Sequence, residues 1–271
     1  MVSFDNINEK SLKKLKKHGF EFIKVKSKHE VTRLKGMSTL ILYKTGKLLV
    51  QGSKNNVEET VKLIKFLGIA KEKRGFSGVA IGSDESLKGD TFGGIVVCAF
   101  KADDKIRAEL KELGVKDSKK MLKPDCVKLA NELIEKYPKN YHVENIYPDE
   151  YNKLNIKYNV TEILDSLHEK CYKKLSRRKN IIHIVDLYPG CNVGDIKEKR
   201  AESKYYEVGA ASIIARYYAL MQIRDLERRA GFFIPLGSTH VESALLEIKK
   251  KSLKAKNFVK LKFKNVQEFF Q

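Results

Sequence analysis

Two short apolar runs constrain this chain more than any other feature. Ile181-Ile182-His183-Ile184-Val185 is apolar at both alternating sets of positions, the pattern of a strand covered on both faces. Gly78-Val79-Ala80-Ile81-Gly82-Ser83 is a second apolar strand, and Gly94–Phe100 a third that pairs with it around an intervening turn. Helical segments are at hand to cover them. Ile106–Leu113 is amphipathic and closes at Gly114, Pro124–Tyr137 and Thr161–Leu175 read as helices, and Val208–Arg229 is a long helix stopped at Gly231. Strands alternating with helices in this way imply a mixed α/β core.

Both strands end in carboxylates. Asp84 and Glu85 follow the Gly78–Ser83 strand and Asp186 follows Ile181–Val185, while Glu202 stands in a basic stretch just before the long helix. Strands ending side by side place such residues in one cleft beyond the sheet. Clustered carboxylates repel one another and are stable with compensating cations, and hard oxygen ligands select Mg²⁺ or Mn²⁺. Two such ions about 3.5–4 Å apart suit in-line phosphoryl displacement. Each acid also has an ordinary alternative as a turn residue or helix cap. Adjacent Asp84 and Glu85 point to opposite faces of a straight strand, so sharing a site requires a bend there, or a ligand from the backbone.

The carboxylates sit in a strongly basic chain. Lys and Arg number 54 against 34 Asp and Glu, a net charge of +20 over 271 residues, which favours a polyanionic partner. Nucleic acid is preferred over membrane, because no apolar run approaches the roughly 18–20 residues of a spanning helix and the N-terminus has no apolar signal-peptide core. The four cysteines, Cys98, Cys126, Cys171 and Cys191, are far apart with no CxxC pairing. They read as reduced thiols of a cytoplasmic protein, not as a zinc ribbon or disulfide framework.

The charge is uneven. Residues 1–74 carry 18 basic and 7 acidic side chains, and the remainder 36 and 27. The expected organisation is an N-terminal substrate-binding domain over 1–70, a charged linker over 71–77 and a catalytic domain over 78–271. In the first part, Ser11–His18 reads as a basic helix, Phe20–Val25 as a strand, and Thr39–Tyr43 with Lys47–Gln51 as a hairpin. A helix from Val57 ends at Gly68. A small sheet backed by helices leaves a face that lysines can line; an ordinary solvated surface is the alternative.

Several motifs then resemble a known family in its own order. Ile81-Gly82-Ser83-Asp84-Glu85 followed by Gly89-Asp90-Thr91-Phe92-Gly93 resembles the signature strand and turn of ribonuclease HIII, a type 2 ribonuclease H. Gly114-Val115-Lys116-Asp117-Ser118-Lys119-Lys120, Tyr151-Asn152-Lys153-Leu154, Leu164-Asp165-Ser166-Leu167-His168, the helix Val208–Tyr217 and the close Lys260-Leu261-Lys262-Phe263-Lys264-Asn265 resemble its later motifs. Leu40–Lys44 and Gly46–Gly52 resemble the family's N-terminal domain, which is similar to half of the TATA-box-binding protein.

The resemblance implies a ribonuclease H-like mixed sheet flanked by helices, plus a small α+β TATA-box-binding-protein-like domain. It implies endonucleolytic cleavage of RNA in RNA–DNA hybrids, leaving 3′-hydroxyl and 5′-phosphate ends. The implied catalytic and metal-binding set is Asp84, Glu85, Asp186 and Glu202, holding two Mg²⁺ or Mn²⁺ ions during catalysis. Leu87, Lys88, Gly89, Ser118, Lys119, Lys44 and Lys47 are the implied substrate contacts. A monomer with no obligate protein partner is expected. Two departures stand out. The family's Gly-x-Gly turn, whose backbone meets the ribose 2′-hydroxyl, is here Leu87-Lys88-Gly89, which leaves Leu87 strained or the turn rearranged. Leu236 stands where a basic residue is common. Incision at single ribonucleotides in DNA, as by ribonuclease HII, and hybrid binding with little turnover are the competing readings. Arg216 is read as a structural partner more than a phosphate contact, and His183 as a satisfied core histidine.

Overall fold

The computed structural model describes residues 2–4, 7–69, 76–115, 121–177 and 181–270, and the chain divides into two compact units, 1–74 and 75–271. Residues 71–75 of the expected linker lie outside the described residues. The first unit runs β1 (Val2–Phe4), α1 (Glu9–Leu12) continuing as a 3-10 turn to His18, β2 (Glu21–Ile23), β3 (Glu30–Lys35), β4 (Thr39–Tyr43), β5 (Leu48–Gln51) and α2 (Lys54–Phe66). Its antiparallel sheet has the order β1-β5-β4-β3-β2. Leu34, Leu40, Leu42, Leu48 and Val50 form one core with Leu12, Leu15, Val57 and Ile64 of the helical segments. Strands β1 and β3 are absent from the sequence reading. In β3 the buried positions are Glu30, Thr32 and Leu34, so its period-2 alternation carries almost no hydrophobic signal. Arg33 neutralises Glu30 by donating to both carboxylate oxygens, at 3.0 and 2.8 Å.

The second unit runs β6 (Ala80–Ser86), β7 (Ile95–Ala102), α3 (Asp104–Glu112), α4 (Lys123–Lys136), β8 (Tyr141–Ile146), α5 (Pro148–Lys157), α6 (Val160–Leu175), β9 (Ile182–Asp186), β10 (Ile196–Glu198), α7 (Tyr206–Ala230), α8 (Glu242–Lys250) and α9 (Lys264–Phe270). The sheet order is β10-β9-β6-β7-β8, with β6 parallel to β9 and antiparallel to β7. Strand β7 shows how the sheet divides the interior. Val96, Cys98 and Phe100 join a core with α4 and α7, whereas Ile95, Val97 and Ala99 join a second core with α6, as alternation across a strand requires.

Helix α7 lies almost on the backbone of β6. A Cβ at Gly82 would stand 2.4 Å from the Val208 nitrogen, so only glycine permits that approach. The start of α7 is tied down by a buried ion pair, Arg107 Nη2 to Glu207 Oε1 at 3.0 Å, and Arg107 Nη1 reaches the Gly78 carbonyl at 2.6 Å. No helix among the described residues is long and apolar enough to cross a membrane.

Candidate active site

Parallel pairing of Ser83 with Val185 brings the ends of β6 and β9 together, and with them Asp84 and Asp186. The Asp186 Oδ1 accepts the Ala201 N–H at 2.9 Å, which seats the short 3-10 turn Ala201–Ser203 beside β9 and carries Glu202 into the same region, 3% exposed. Asp84, Asp186 and Glu202 thus gather from three separated stretches of the chain.

The expected bend at the acidic pair is not present. Strand β6 continues through Ser86, and the two side chains leave on opposite faces. Asp84 turns toward α7, where Ser212 hydrogen-bonds it, and Glu85 toward α6, where His168 Nε2 lies 3.4 Å from Oε2. Burial and the neighbouring charges of Glu85 and Asp186 push the Asp84 carboxyl well above the usual range. Burial raises Glu85 too, but His168 and Lys88 outweigh it and hold Glu85 below the ordinary value.

Beneath Glu85 runs a buried polar relay. Ser83 Oγ lies 2.7 Å from His168 Nδ1 and 2.8 Å from His183 Nε2. Burial holds the His183 imidazole down at about 3, so it is neutral. The Ser83 hydroxyl thus bridges the two imidazoles, and the Nε2 edge of His168 faces the Glu85 carboxylate at 3.4 Å.

The site's oxygens ask for a cation. Asp84 Oδ2 is buried without a hydrogen-bond partner, an expensive state for a carboxylate, and Glu85 Oε2 faces only His168 Nε2 at 3.4 Å. Among the described residues no group of three or more His, Cys, Asp or Glu side chains is placed to hold a metal ion. A hard divalent ion such as Mg²⁺ would rest here on one or two carboxylates, with waters and substrate phosphate oxygens completing its shell. The residues present fit a hard divalent ion.

Beside the carboxylates opens a cleft of about 270 Å³ lined by Glu85, Leu87, Asp90, Ser212, Arg216 and Leu236, among others. Lys88 contacts the Glu85 carboxylate and lies 5.3 Å from the ring centre of Tyr188. Arg216 lines the cleft and donates to the Met121 carbonyl at 3.4 Å. Ser118 and Lys119 lie outside the described residues. Lys44 and Lys47 are exposed in the β4–β5 turn of the first unit. The sequence reading gave no role to Ser83, His168, Ser212 or Lys260. All four fall inside quoted motifs, yet spacing alone gave no reason to single them out.

Comparison with known proteins bears on this geometry. A family model described as ribonuclease HII matches residues 81–266. The ribonuclease HIII of Bacillus velezensis is 33% identical over 264 residues, covering 85% of this chain and 84% of that protein. The crystal structure of Bst-RNase HIII in complex with Mn²⁺ superposes with a TM-score of 0.66 at 25% identity, covering 99% of this chain and 98% of the other. That of Aquifex aeolicus RNase H3 superposes with a TM-score of 0.55 at 28% identity, covering 96% and 99%.

Proposed function

Because the chain belongs to the ribonuclease HII family, we propose that it cleaves the RNA strand of RNA–DNA hybrids at Asp84, Glu85, Asp186 and Glu202. It is a ribonuclease H-type endoribonuclease, a hydrolase dependent on Mg²⁺ or Mn²⁺. The observation that carries the site assignment is the buried Asp84 carboxylate, whose Oδ2 has no hydrogen-bond partner and which lies beside Asp186 and Glu85, in a chain of net charge +20. When bound, divalent ions activate water and neutralise charge at the scissile phosphate. Asp84 and Asp186 would hold them from adjacent strand ends, with Glu85 and Glu202 completing the set.

The other residues orient and bind. The relay from His183 through Ser83 and His168 keeps Glu85 ionised and aimed. Turn 87–89 meets the RNA strand beside the site, and Ser118 and Lys119 contact its phosphates. The exposed Lys44 and Lys47 hold the duplex from the first unit. Hybrid is selected by groove shape and the 2′-hydroxyl instead of base sequence. The four cysteines are free thiols, and the proposed setting is a reducing cytoplasm.

The decisive experiment is cleavage of a labelled RNA–DNA hybrid with Mg²⁺ and Mn²⁺ titrated separately, beside a DNA duplex holding one ribonucleotide. Cleavage within a run of ribonucleotides, with 5′-phosphate products and full inhibition by chelator, is expected. Cutting confined to the single ribonucleotide would assign the other specificity, and binding without cleavage in either metal would make the chain a hybrid-binding protein.

A further inference from the structure

Lys260 is a charged residue with no exposed surface, and nothing in the catalytic reading uses it. Burying an ammonium is costly unless it is fully compensated. Here Nζ donates to three backbone carbonyls of one turn: Leu87 at 2.8 Å, Asp90 at 2.5 Å and Gly93 at 3.0 Å. The rings of Tyr151 and Phe263 stand on either side, 5.6 and 5.3 Å from Nζ to their centres.

That turn is the one lacking the family's first glycine. Leu87 keeps the left-handed backbone, at φ 67, a conformation that L-residues other than glycine adopt only with strain. In a straight strand Leu87 would follow Ser83 and Glu85 toward α6. The left-handed step returns it to the α7 side, where it joins the main core and is 4% exposed. Its Cδ1 lies 2.9 Å from where a Gly93 Cβ would stand, so the leucine fills space that Gly93 leaves open. The side chain is therefore packed in the core beside α7, at the edge of the cleft. The N–H groups of Lys88 and Gly89 form no hydrogen bond to a described residue.

Two further motifs converge on the lysine. Asn152 Nδ2 donates to the Val259 carbonyl at 2.8 Å, and Asn152 Oδ1 accepts the Leu261 N–H at 2.9 Å, which locks the backbone on both sides of Lys260. Asn265 Nδ2 reaches Thr91 Oγ1 at 2.8 Å, and the Lys260 N–H donates to the Thr91 carbonyl.

We propose that Lys260 is a positioning residue for hybrid recognition, clamping turn 87–93 so that a chain without glycine at 87 still presents the turn's backbone to the RNA strand. This rests on the reading above that the turn meets the RNA. It assigns a purpose to the Tyr151-Asn152 and Lys260–Asn265 motifs, which lie outside the carboxylate cluster.

The test is Lys260→Met in the full chain, with an RNA–DNA hybrid and a DNA duplex of the same sequence as probes. KM and the metal-free Kd for hybrid should rise about tenfold, a change of one decade in affinity. The kcat at saturating hybrid should stay within about threefold, with the half-saturating Mn²⁺ concentration and the DNA-duplex Kd unchanged. Lys260→Gln keeps two N–H donors and should recover part of the loss; it carries the test if the methionine variant does not fold. Unchanged hybrid affinity, equal loss on both duplexes, or a loss confined to kcat or metal requirement would overturn the proposal. So would failure of both variants to fold, which would leave Lys260 a core residue only. Wild-type cleavage is measured alongside. If it is absent the proposed function falls, while the metal-free Kd still reads Lys260.

Discussion

At Asp84, burial and the charges of Glu85 and Asp186 all oppose ionisation, so the fold resists the very carboxylate that the chemistry needs. Asp84→Asn should therefore lower kcat by about 1000-fold or more and yet raise stability in chelator by ~1 kcal/mol, the usual trade of activity against stability. Mn²⁺ should raise the melting temperature of the wild type and not of the variant. A variant less stable than wild type in chelator would contradict the burial argument. Leu87 carries the opposite balance. Glycine there relieves about 1–2 kcal/mol of backbone strain but removes a buried leucine, a loss worth about 2–5 kcal/mol. Leu87→Gly should thus be destabilised by ~1–3 kcal/mol in denaturant melts with KM near that of wild type. A gain in activity would mean that the leucine is a handicap after all. The sequence marks Leu87 as a departure from its family, whereas the direction of its side chain depends on Gly93, six residues away, and on α7, which no local pattern reports.

Among the elements, β6 and β9 decide the site, since their parallel pairing alone brings Asp84 beside Asp186. Both strands were legible as apolar runs, and α3, α4, α6 and α7 as amphipathic or small-residue stretches with clear stops. Strands β8 and β10 and helices α5, α8 and α9 were not read. Strand β8 is half-buried at most of its positions, β10 is three residues long, and the two C-terminal helices are short. Of the two alternatives left open at the acidic pair, a bend or a backbone ligand, the bend is not present: β6 runs straight through Glu85, and the two side chains draw support from α7 and α6 separately. Strand β9 also carries an acid sensitivity. His183 is held near 3 when folded against 6.5 for the free group, so between those values the unfolded chain binds a proton that the folded chain refuses. Stability must fall as pH drops from about 6.5 toward 3. His183→Asn should flatten part of that slope in melting temperatures measured across the window; an unaltered slope would remove His183 from the account.

On the scale of the molecule, the proposed function assigns binding to the first unit and chemistry to the second. The first carries 18 basic against 7 acidic residues, a net +11 of the chain's +20, and a strongly basic module binds polyanions with a steep salt dependence. Deleting residues 1–70 should raise the Kd for hybrid by about tenfold or more at moderate salt and flatten the plot of log Kd against log salt, with kcat at saturating substrate little changed. An unchanged salt slope would place the polyanion contacts in the second unit. By itself the sequence determined the α/β class, the two-part charge division and the four acids, because hydrophobic periodicity, net charge and motif order are local or additive properties of the chain. Only the tertiary structure decided that Asp84 and Glu85 face different helices, that His168 and Ser83 support Glu85, and that Lys260 closes the Leu87 turn. Those facts depend on contacts between residues 83 to 173 positions apart, where strand register and close helix packing, not composition, choose the partners.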